Sequence, residues 1–156
     1  HARRAEPRGI ASPPSPPARA RARGPDAERP VFLDTNVLVR HFTGDPPAQA
    51  RRATTFLRDA EELVLTDVVV AETAYVLESF YRAPREIVAT HLRAAVDFPA
   101  IEVDDPDVLH RTLELYELGL HFAEAYVAAR AEESGRAVVS FDRDLDRIST
   151  VKRVEP

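Results

Sequence analysis

The sequence predicts an α/β fold, a three-layer α/β/α architecture with a central parallel sheet. Short apolar segments rich in valine, leucine and isoleucine alternate along the chain with longer segments of helical periodicity. The short segments lack the alternation of polar and apolar residues that a half-exposed strand shows, which is typical of parallel strands covered by helices on both faces. Proline, glycine and aspartate stand between the segments, where they cap or end helices.

The N-terminal part differs in composition from the rest of the 156-residue chain. Residues 1–29 are rich in proline, alanine and arginine and contain almost no bulky apolar side chain. Such a segment cannot bury enough surface to offset its chain entropy. We therefore predict a disordered extension at 1–29 and one folded domain at 30–156.

The elements of the first half are predicted from helix-breaking and capping residues and from apolar periodicity. Gly44 and Pro46 end the first helix, and Pro84 opens another one. Asp67 is the predicted N-cap of the helix that follows it. In chain order we predict a buried strand at 30–34, helices at 37–42 and 47–60, a strand at 62–66, and helices at 68–81 and 84–98.

The second half has the same alternation. Pro99 breaks the preceding helix, Asp104 and Asp105 precede the next one, and Gly119 and Gly135 stop two more. In chain order we predict a strand at 100–103, helices at 106–118 and 122–134, a strand at 137–141, a helical turn at 142–148 and a last strand at 150–154.

Composition excludes several kinds of protein. The chain has no cysteine, which rules out disulfides, zinc–thiolate sites and thiol nucleophiles. It contains no GxGxxG loop and no GxSxG nucleophile turn. No apolar run reaches membrane-spanning length and the N-terminus lacks the apolar segment of a secretory signal, so we expect a cytoplasmic protein without membrane contact.

Charge divides at the same boundary as composition. Residues 1–29 hold seven arginines and three acids, a net charge of +4, and because the whole chain carries −5 the remainder carries −9. An acidic body argues against binding nucleic acid through a broad basic surface. It leaves open an enzyme that reaches phosphates through a metal ion.

Four acids lie where predicted elements begin or end in apolar surroundings. They are Asp34 in VFLDTNVLVR, Glu72 in VVVAETAYVL, Glu124 in HFAEAYVAAR and Asp142 in VVSFDRDL. Asp34 and Asp142 directly follow strands, and parallel sheets bind ligands outside the carboxyl ends of their strands. If the fold gathers the four carboxylates, a divalent cation must neutralise them, and hard oxygen ligands suit Mg²⁺ or Mn²⁺ and phosphodiester chemistry.

Each acid also has an ordinary structural interpretation. Asp34 and Asp142 are good helix N-caps. Glu124 lies in the first turn of its helix, where the macrodipole favours an acid. Glu72 shares a helical face with Ser79, so a narrow solvent-facing stripe is an alternative. The apolar neighbours of both glutamates instead predict burial, which is costly for a carboxylate unless it is paired or metal-bound.

At these four segments the sequence resembles a PIN domain, specifically the VapC-like toxin ribonucleases of bacterial toxin–antitoxin pairs. The matching segments are VFLDTNVLVR, TDVVVAETAYVLESFY, HFAEAYVAARAEESG and VVSFDRDLDRI, and the resemblance extends over about residues 30–154. It implies a central parallel sheet between helices and metal-dependent cleavage of RNA.

The resemblance also implies roles for individual residues. It implies an acidic site for Mg²⁺ or Mn²⁺ made of Asp34, Glu72, Glu124 and Asp142, supported by Asn36 and Ser140. Asp144, next to the last acid, is a further supporting residue or an alternative ligand. The third motif departs from the family, which usually has aspartate where this chain has glutamate.

The function expected from the resemblance is that of a toxin endoribonuclease. It implies an RNA substrate, a cognate antitoxin protein that blocks the acidic site, and a homodimer. Arg40, Arg82 and Arg143 either contact RNA phosphates or are solvated surface residues. Two alternatives are an inactive PIN-like module that binds RNA or protein and a metal-dependent phosphatase, although the DxDx[TV] motif of acyl-phosphate enzymes is missing.

Overall fold

The structure, a computed structural model, describes residues 30–156. The predicted disorder of 1–29 lies outside the described residues. The chain divides into two compact units, the first ending at Asp104 and the second extending from Asp105 to Pro156.

Every predicted element is present, with ends that differ from the predicted ones by a few residues. The helices are α1 Thr35–Thr43, α2 Pro47–Asp59, α3 Asp67–Ser79, α4 Arg85–Val96, α5 Pro106–Glu117 and α6 Phe122–Ser134, with a 3-10 helix at Arg143–Arg147. The strands are β1 Val31–Phe32, β2 Leu63–Val64, β3 Ile101–Glu102, β4 Val138–Val139 and β5 Arg153–Val154.

The first unit contains a parallel sheet in the order β1-β2-β3. Val31 pairs with Leu63, which pairs with Ile101 on its other side. Each parallel pair is separated by helices in the chain, as crossover connections require. Leu63 in the central strand and Leu65 just after it are each only 1% exposed.

The prediction of strands buried on both faces is wrong for part of the chain. Val31 is 49% exposed and Phe32 is 69% exposed, whereas the next residue, Leu33, is buried. In β4 Val138 is buried and Val139 is exposed. β1 has a single neighbour in its sheet, and a row of apolar letters does not reveal which side chains at such an edge lie against helices.

Helix α3 begins one residue earlier than predicted. Its N-cap is Thr66, whose hydroxyl accepts the backbone N–H of Val69 at 3.4 Å, so the prediction of Asp67 as N-cap is wrong. Asp67 is the first helical residue, where its charge suits the helix dipole. Threonine and aspartate both cap helices well, so the sequence Thr66-Asp67 does not show which of the two is the N-cap.

The second unit combines α5, α6, the 3-10 helix and a parallel pair of strands, β4 and β5. Asp105 caps α5 by accepting the backbone N–H of Val108 at 3.1 Å. The rings of Tyr116 and Phe122 meet edge-on with centroids 6.0 Å apart and join the two long helices. The 3-10 helix follows β4 directly, which places the fourth acidic motif at the end of that strand.

None of the helices between residues 30 and 156 combines the length and the apolar composition that a membrane span requires.

Candidate active site

Asp34 lies at the carboxyl end of β1 and is the N-cap of α1. Its Oδ2 accepts hydrogen bonds from the backbone N–H and from the side-chain amide of Asn36, both at 3.1 Å. Extended backbone at Asp34, with φ −99° and ψ 151°, turns the side chain over the start of the helix. Its other oxygen, Oδ1, accepts no hydrogen bond from residues 30–156 and is available to a ligand.

Glu72 lies in the middle of α3 and is tied to α1 through Thr35. The Thr35 hydroxyl donates to Glu72 Oε2 at 2.5 Å, the short distance typical of a hydroxyl bonded to a carboxylate. Thr35 is buried, so its hydroxyl has a fixed direction. Glu72 Oε1 receives no hydrogen bond within the described part of the chain.

Glu72 itself is exposed, so the prediction that its apolar neighbours bury it is wrong. The narrow polar stripe that was the alternative is present, with Ser79 half-buried further along α3. Val68 and Tyr75 of the same helix are also exposed. The apolar residues around Glu72 therefore did not indicate burial, because several apolar side chains of α3 are themselves exposed.

Both carboxylates face one cavity of about 240 Å³. The residues that line it come from the end of β1, from α1, from α3 and from the turn after α3; they are Asp34, Thr35, Asn36, Val39, Arg40, Glu72, Val76, Phe80 and Tyr81. The cavity therefore joins two carboxylates, a fixed hydroxyl, an amide and a guanidinium. Carboxylate and hydroxyl oxygens are the ligands that a hard divalent cation takes in proteins.

Arg40 is the cation of this cavity. Its Nε donates to Gln49 Oε1 at 3.1 Å, and its Nη1 donates to the carbonyl of Asp45 at 3.1 Å and to the Tyr81 hydroxyl at 3.4 Å. These three contacts hold the guanidinium in one orientation. Its Nη2 has no hydrogen-bond partner among residues 30–156, which leaves two N–H donors for an anionic ligand.

The second unit brings Glu124 and Asp142 together. The pKa of Asp142 is lowered mainly by the backbone N–H of Asp144 and next by a hydrogen bond with the Glu124 side chain. The nearby His121 and Arg153 lower it further. Two neighbouring carboxylates repel each other, and a cation beside them offsets that repulsion. The pair supplies carboxylate oxygens, the type of ligand that a hard divalent cation takes in proteins.

Glu124 and Asp142 also have the structural roles predicted as alternatives to metal binding, at the starts of their helices. Glu124 is in the first turn of α6 and its Oε2 accepts the backbone N–H of His121 at 3.2 Å. Asp142 caps the 3-10 helix, because its Oδ1 accepts the N–H of Asp144 at 2.8 Å. Ser140 fixes the strand end by accepting the Asp142 N–H at 3.0 Å. Capping occupies one oxygen of each acid.

Burial differs between the members of the second pair. Glu124 is half-buried and Asp142 is exposed. Asp144, the further supporting candidate, is exposed as well and lies 3.5 Å from the guanidinium of Arg147.

The sequence-predicted residues thus form two sets. Asp34, Asn36 and Glu72 line one cavity of the first unit, and Glu124, Ser140, Asp142 and Asp144 are close together in the second. Within residues 30–156 the structure contains no group of three or more histidine, aspartate or glutamate side chains arranged to hold a metal ion.

The chain was compared with models of known protein families. A family model described as "PIN domain" matches residues 31–151, most of the sequence. The chain belongs to the PIN-domain family. PIN domains have a three-layer α/β/α fold, in agreement with the predicted fold class, and the strands of this PIN domain are parallel. A comparison with curated proteins found no match.

Family membership also indicates the general chemistry. PIN domains are generally nucleases and generally use divalent metal ions. The carboxylates of Asp34 and Glu72 are hard oxygen ligands of the kind that such ions take, and one oxygen of each accepts no hydrogen bond from residues 30–156.

Sequence reasoning missed the residues that hold the carboxylates in place. Thr35 was not singled out, although it holds Glu72 from 37 positions away. Tyr81 and Phe80 were not considered, although both line the cavity. The polar residues Thr35 and Asn36 directly after Asp34 were the only local sign of such supports. A hydrogen bond between α1 and α3 leaves no sign in the local sequence.

Proposed function

We propose that this PIN domain is a metal-dependent endoribonuclease that hydrolyses RNA phosphodiesters, with Mg²⁺ or Mn²⁺ as its cofactor. One observation carries the proposal: the carboxylates of Asp34 and Glu72 face the same cavity, and a neighbouring donor fixes one oxygen of each. Such fixed oxygens are pre-organised to receive a cation and lose little side-chain entropy when they bind it.

Four residues are the proposed metal-binding carboxylates: Asp34, Glu72, Glu124 and Asp142. A bound divalent cation lowers the pKa of water and stabilises charge on the phosphate and on the leaving oxygen. The side chains of the protein contribute orientation. Thr35 holds Glu72, Asn36 holds Asp34, and Ser140 fixes the backbone at Asp142.

Glu124 is the residue on which activity depends most sensitively in this proposal. Where the resembled family usually has aspartate, glutamate adds a methylene, and Mg²⁺ tolerates little deviation from octahedral geometry at about 2.0–2.1 Å. The Glu124 side chain is among the groups that lower the pKa of Asp142, and its Oε2 accepts the His121 N–H; both support an adapted rather than a lost site. We expect Mn²⁺ to support at least as much cleavage as Mg²⁺.

We further propose that the nuclease is the VapC-like toxin of a toxin–antitoxin pair, with a cognate antitoxin and a homodimeric state. The support is the set of four motifs in which the sequence resembles those toxins. Co-purification with the product of an adjacent gene, and the mass of the complex in solution, test the partner and the dimer.

A second candidate function is an inactive PIN-like module that binds RNA or protein. The glutamate in the third motif is the observation that favours it. A phosphatase is the third candidate, and assays with small phosphomonoesters test it.

Cleavage of mixed RNAs by the full chain tests the proposal. The assay compares Mg²⁺, Mn²⁺ and EDTA for the native chain, Asp34→Asn and Glu124→Asp. Asparagine caps a helix as well as aspartate, so Asp34→Asn keeps the start of α1 while removing the charge. Asp59→Asn is the matched control, because Asp59 is an exposed acid of α2 outside the cavity.

The nuclease proposal expects cleavage that depends on the metal, disappears in Asp34→Asn and persists in Asp59→Asn. Cleavage by Glu124→Asp alone favours the inactive module. Cleavage by the native chain in EDTA, or full activity of Asp34→Asn, contradicts the proposal.

A further inference from the structure

The turn that follows α3 presents an exposed aromatic ring at the edge of the acidic cavity. Phe80, which lines the cavity, is 77% exposed. The neighbouring ring of Tyr81 meets it edge-on, with centroids 5.2 Å apart and planes at 70°. An edge-on neighbour steadies the phenyl ring and does not cover its face. A flat apolar surface therefore lies beside the carboxylates of Asp34 and Glu72.

Arg40 supplies the positive charge at the same place. The Tyr81 hydroxyl accepts a hydrogen bond from Arg40 Nη1, so the guanidinium and the aromatic pair are linked. The Nη2 donors of Arg40 remain without a partner among residues 30–156. A fixed guanidinium with open donors matches the geometry of a phosphate.

Arg82 adds a second cation in an uncommon backbone conformation. Its φ of 57° is in the left-handed region, and the N–H of Ala83 donates to the Leu77 carbonyl at 3.0 Å, which closes the end of α3. Glycine is the residue that adopts this left-handed conformation without steric cost. Arg82 is exposed and has no hydrogen bond or ion pair with the described residues. A long cationic side chain at a strained position suggests that the side chain itself has a function.

We propose that this turn is a binding subsite for single-stranded RNA, in which Phe80 stacks on one base and Arg40 and Arg82 bind the flanking phosphates. The inference rests on the proposed nuclease function and names the substrate feature that the site recognises. Bases in a duplex have both faces covered, so a stacking ring selects unpaired nucleotides. The arginines offset the repulsion between RNA phosphates and the acids of the cavity.

The alternative occupant of Phe80 is a protein surface, either a second copy of the chain or another protein. The open guanidinium donors beside the ring favour RNA, because an apolar protein surface leaves them without acceptors. The experiment therefore includes an outcome for protein contact.

A tryptophan at position 80 reports stacking directly, because the chain contains no tryptophan of its own. Phe80→Trp is made in the Asp34→Asn background, so that the RNA is not cut. Phe56→Trp in the same background is the control, since Phe56 is a half-exposed phenylalanine of α2 outside the cavity. Each variant is titrated with a short single-stranded RNA of mixed sequence and with the corresponding duplex.

We expect quenching of the Phe80→Trp emission by the single strand, little effect of the duplex, and no effect on Phe56→Trp. In anisotropy measurements Phe80→Ala weakens single-strand binding by about 5- to 150-fold, the range found for loss of one stacked base, whereas Phe56→Ala leaves it unchanged. Arg82→Ala weakens binding and reduces its salt dependence.

Unchanged RNA binding by Phe80→Ala overturns the inference. So does Phe80→Trp emission that changes with protein concentration and not with RNA, which identifies a second copy of the chain as the occupant. Cleavage lost in Asp34→Asn upholds the nuclease whatever Phe80 does. Quenching of the Phe80→Trp emission by the single strand, together with no metal-dependent cleavage by the native chain, upholds the subsite and rejects the nuclease.

Discussion

The hydroxyl of Thr35 and the carboxylate of Glu72 are 2.5 Å apart and connect the first turn of α1 to the middle of α3. Thr35 is buried and Glu72 is exposed, so the hydrogen bond anchors a surface carboxylate to the protein interior. A carboxylate held in this way keeps its direction toward the cavity.

Replacing Thr35 by valine removes this anchor at nearly constant volume. Because water can solvate the exposed Glu72, we expect a loss of stability of only about 1 kcal/mol. Loss of an orienting partner typically costs about 10- to 100-fold in metal affinity or activity, and we expect that range for RNA cleavage by Thr35→Val. Thr35→Ser keeps the hydroxyl and is the control, with near-native cleavage. Full activity of Thr35→Val shows that Glu72 needs no anchor.

Glu124→Gln separates the capping role of this side chain from its charge. Glutamine also accepts the N–H of an N-cap residue, so we expect the free energy of unfolding to change by less than about 0.5 kcal/mol. Metal-dependent cleavage falls by more than the roughly 10- to 100-fold typical of an outer partner, because a proposed ligand is lost. Glu124→Asp shows the reverse, a weaker cap with cleavage retained. Equal cleavage by the native chain and Glu124→Gln contradicts a role in metal binding.

His41 makes stability depend on pH. Burial lowers its pKa below the usual 6.5, and the charge of nearby His91 lowers it further. The unfolded chain then binds a proton more readily than the folded one. The contribution of the neutral ring is therefore complete above about pH 6.5, declines as the pH falls below that value, and levels off beneath the lowered pKa of the folded state.

Urea unfolding of the native chain and of His41→Gln between about pH 8 and about pH 5 measures this effect. Carboxylates titrate in both proteins, so the difference between the two free energies isolates the histidine. We expect the native chain to lose more stability than His41→Gln as the pH falls. Parallel curves show that His41 titrates alike in both states. His41 Nδ1 lies 2.8 Å from the Thr54 hydroxyl, and glutamine keeps a polar group there.

Arg82→Gly should stabilise the protein. Glycine adopts the left-handed conformation of this turn without steric cost, although it also gains entropy in the unfolded chain. We expect a net increase of roughly 0.5–1 kcal/mol in the free energy of unfolding. Arg82→Ala keeps the strain and should leave stability nearly unchanged. A stable Arg82→Gly variant with weaker RNA binding indicates that the native residue trades stability for binding. Lower stability of Arg82→Gly contradicts the interpretation of φ 57° as strain.

The elements were predictable because their signals are local. Periodicity together with Pro84, Gly119 and Gly135 located the helices to within a few residues, and β-branched runs located the strands. Exposure was not predictable in the same way. Phe32 and Val139 lie in apolar runs and are nevertheless exposed, because burial depends on what packs against a strand and not on its letters.

The sequence alone determined the family and the order of helices and strands. It also determined short-range contacts of the site, such as Asn36 with Asp34 and Asp144 with Asp142, because these residues are two positions apart. Only the tertiary structure decided that Thr35 holds Glu72 and that the turn after α3 brings Phe80 to the edge of their cavity. Side chains on separate helices meet through helix packing, whose angles and offsets depend on the whole core and are not encoded in any single segment.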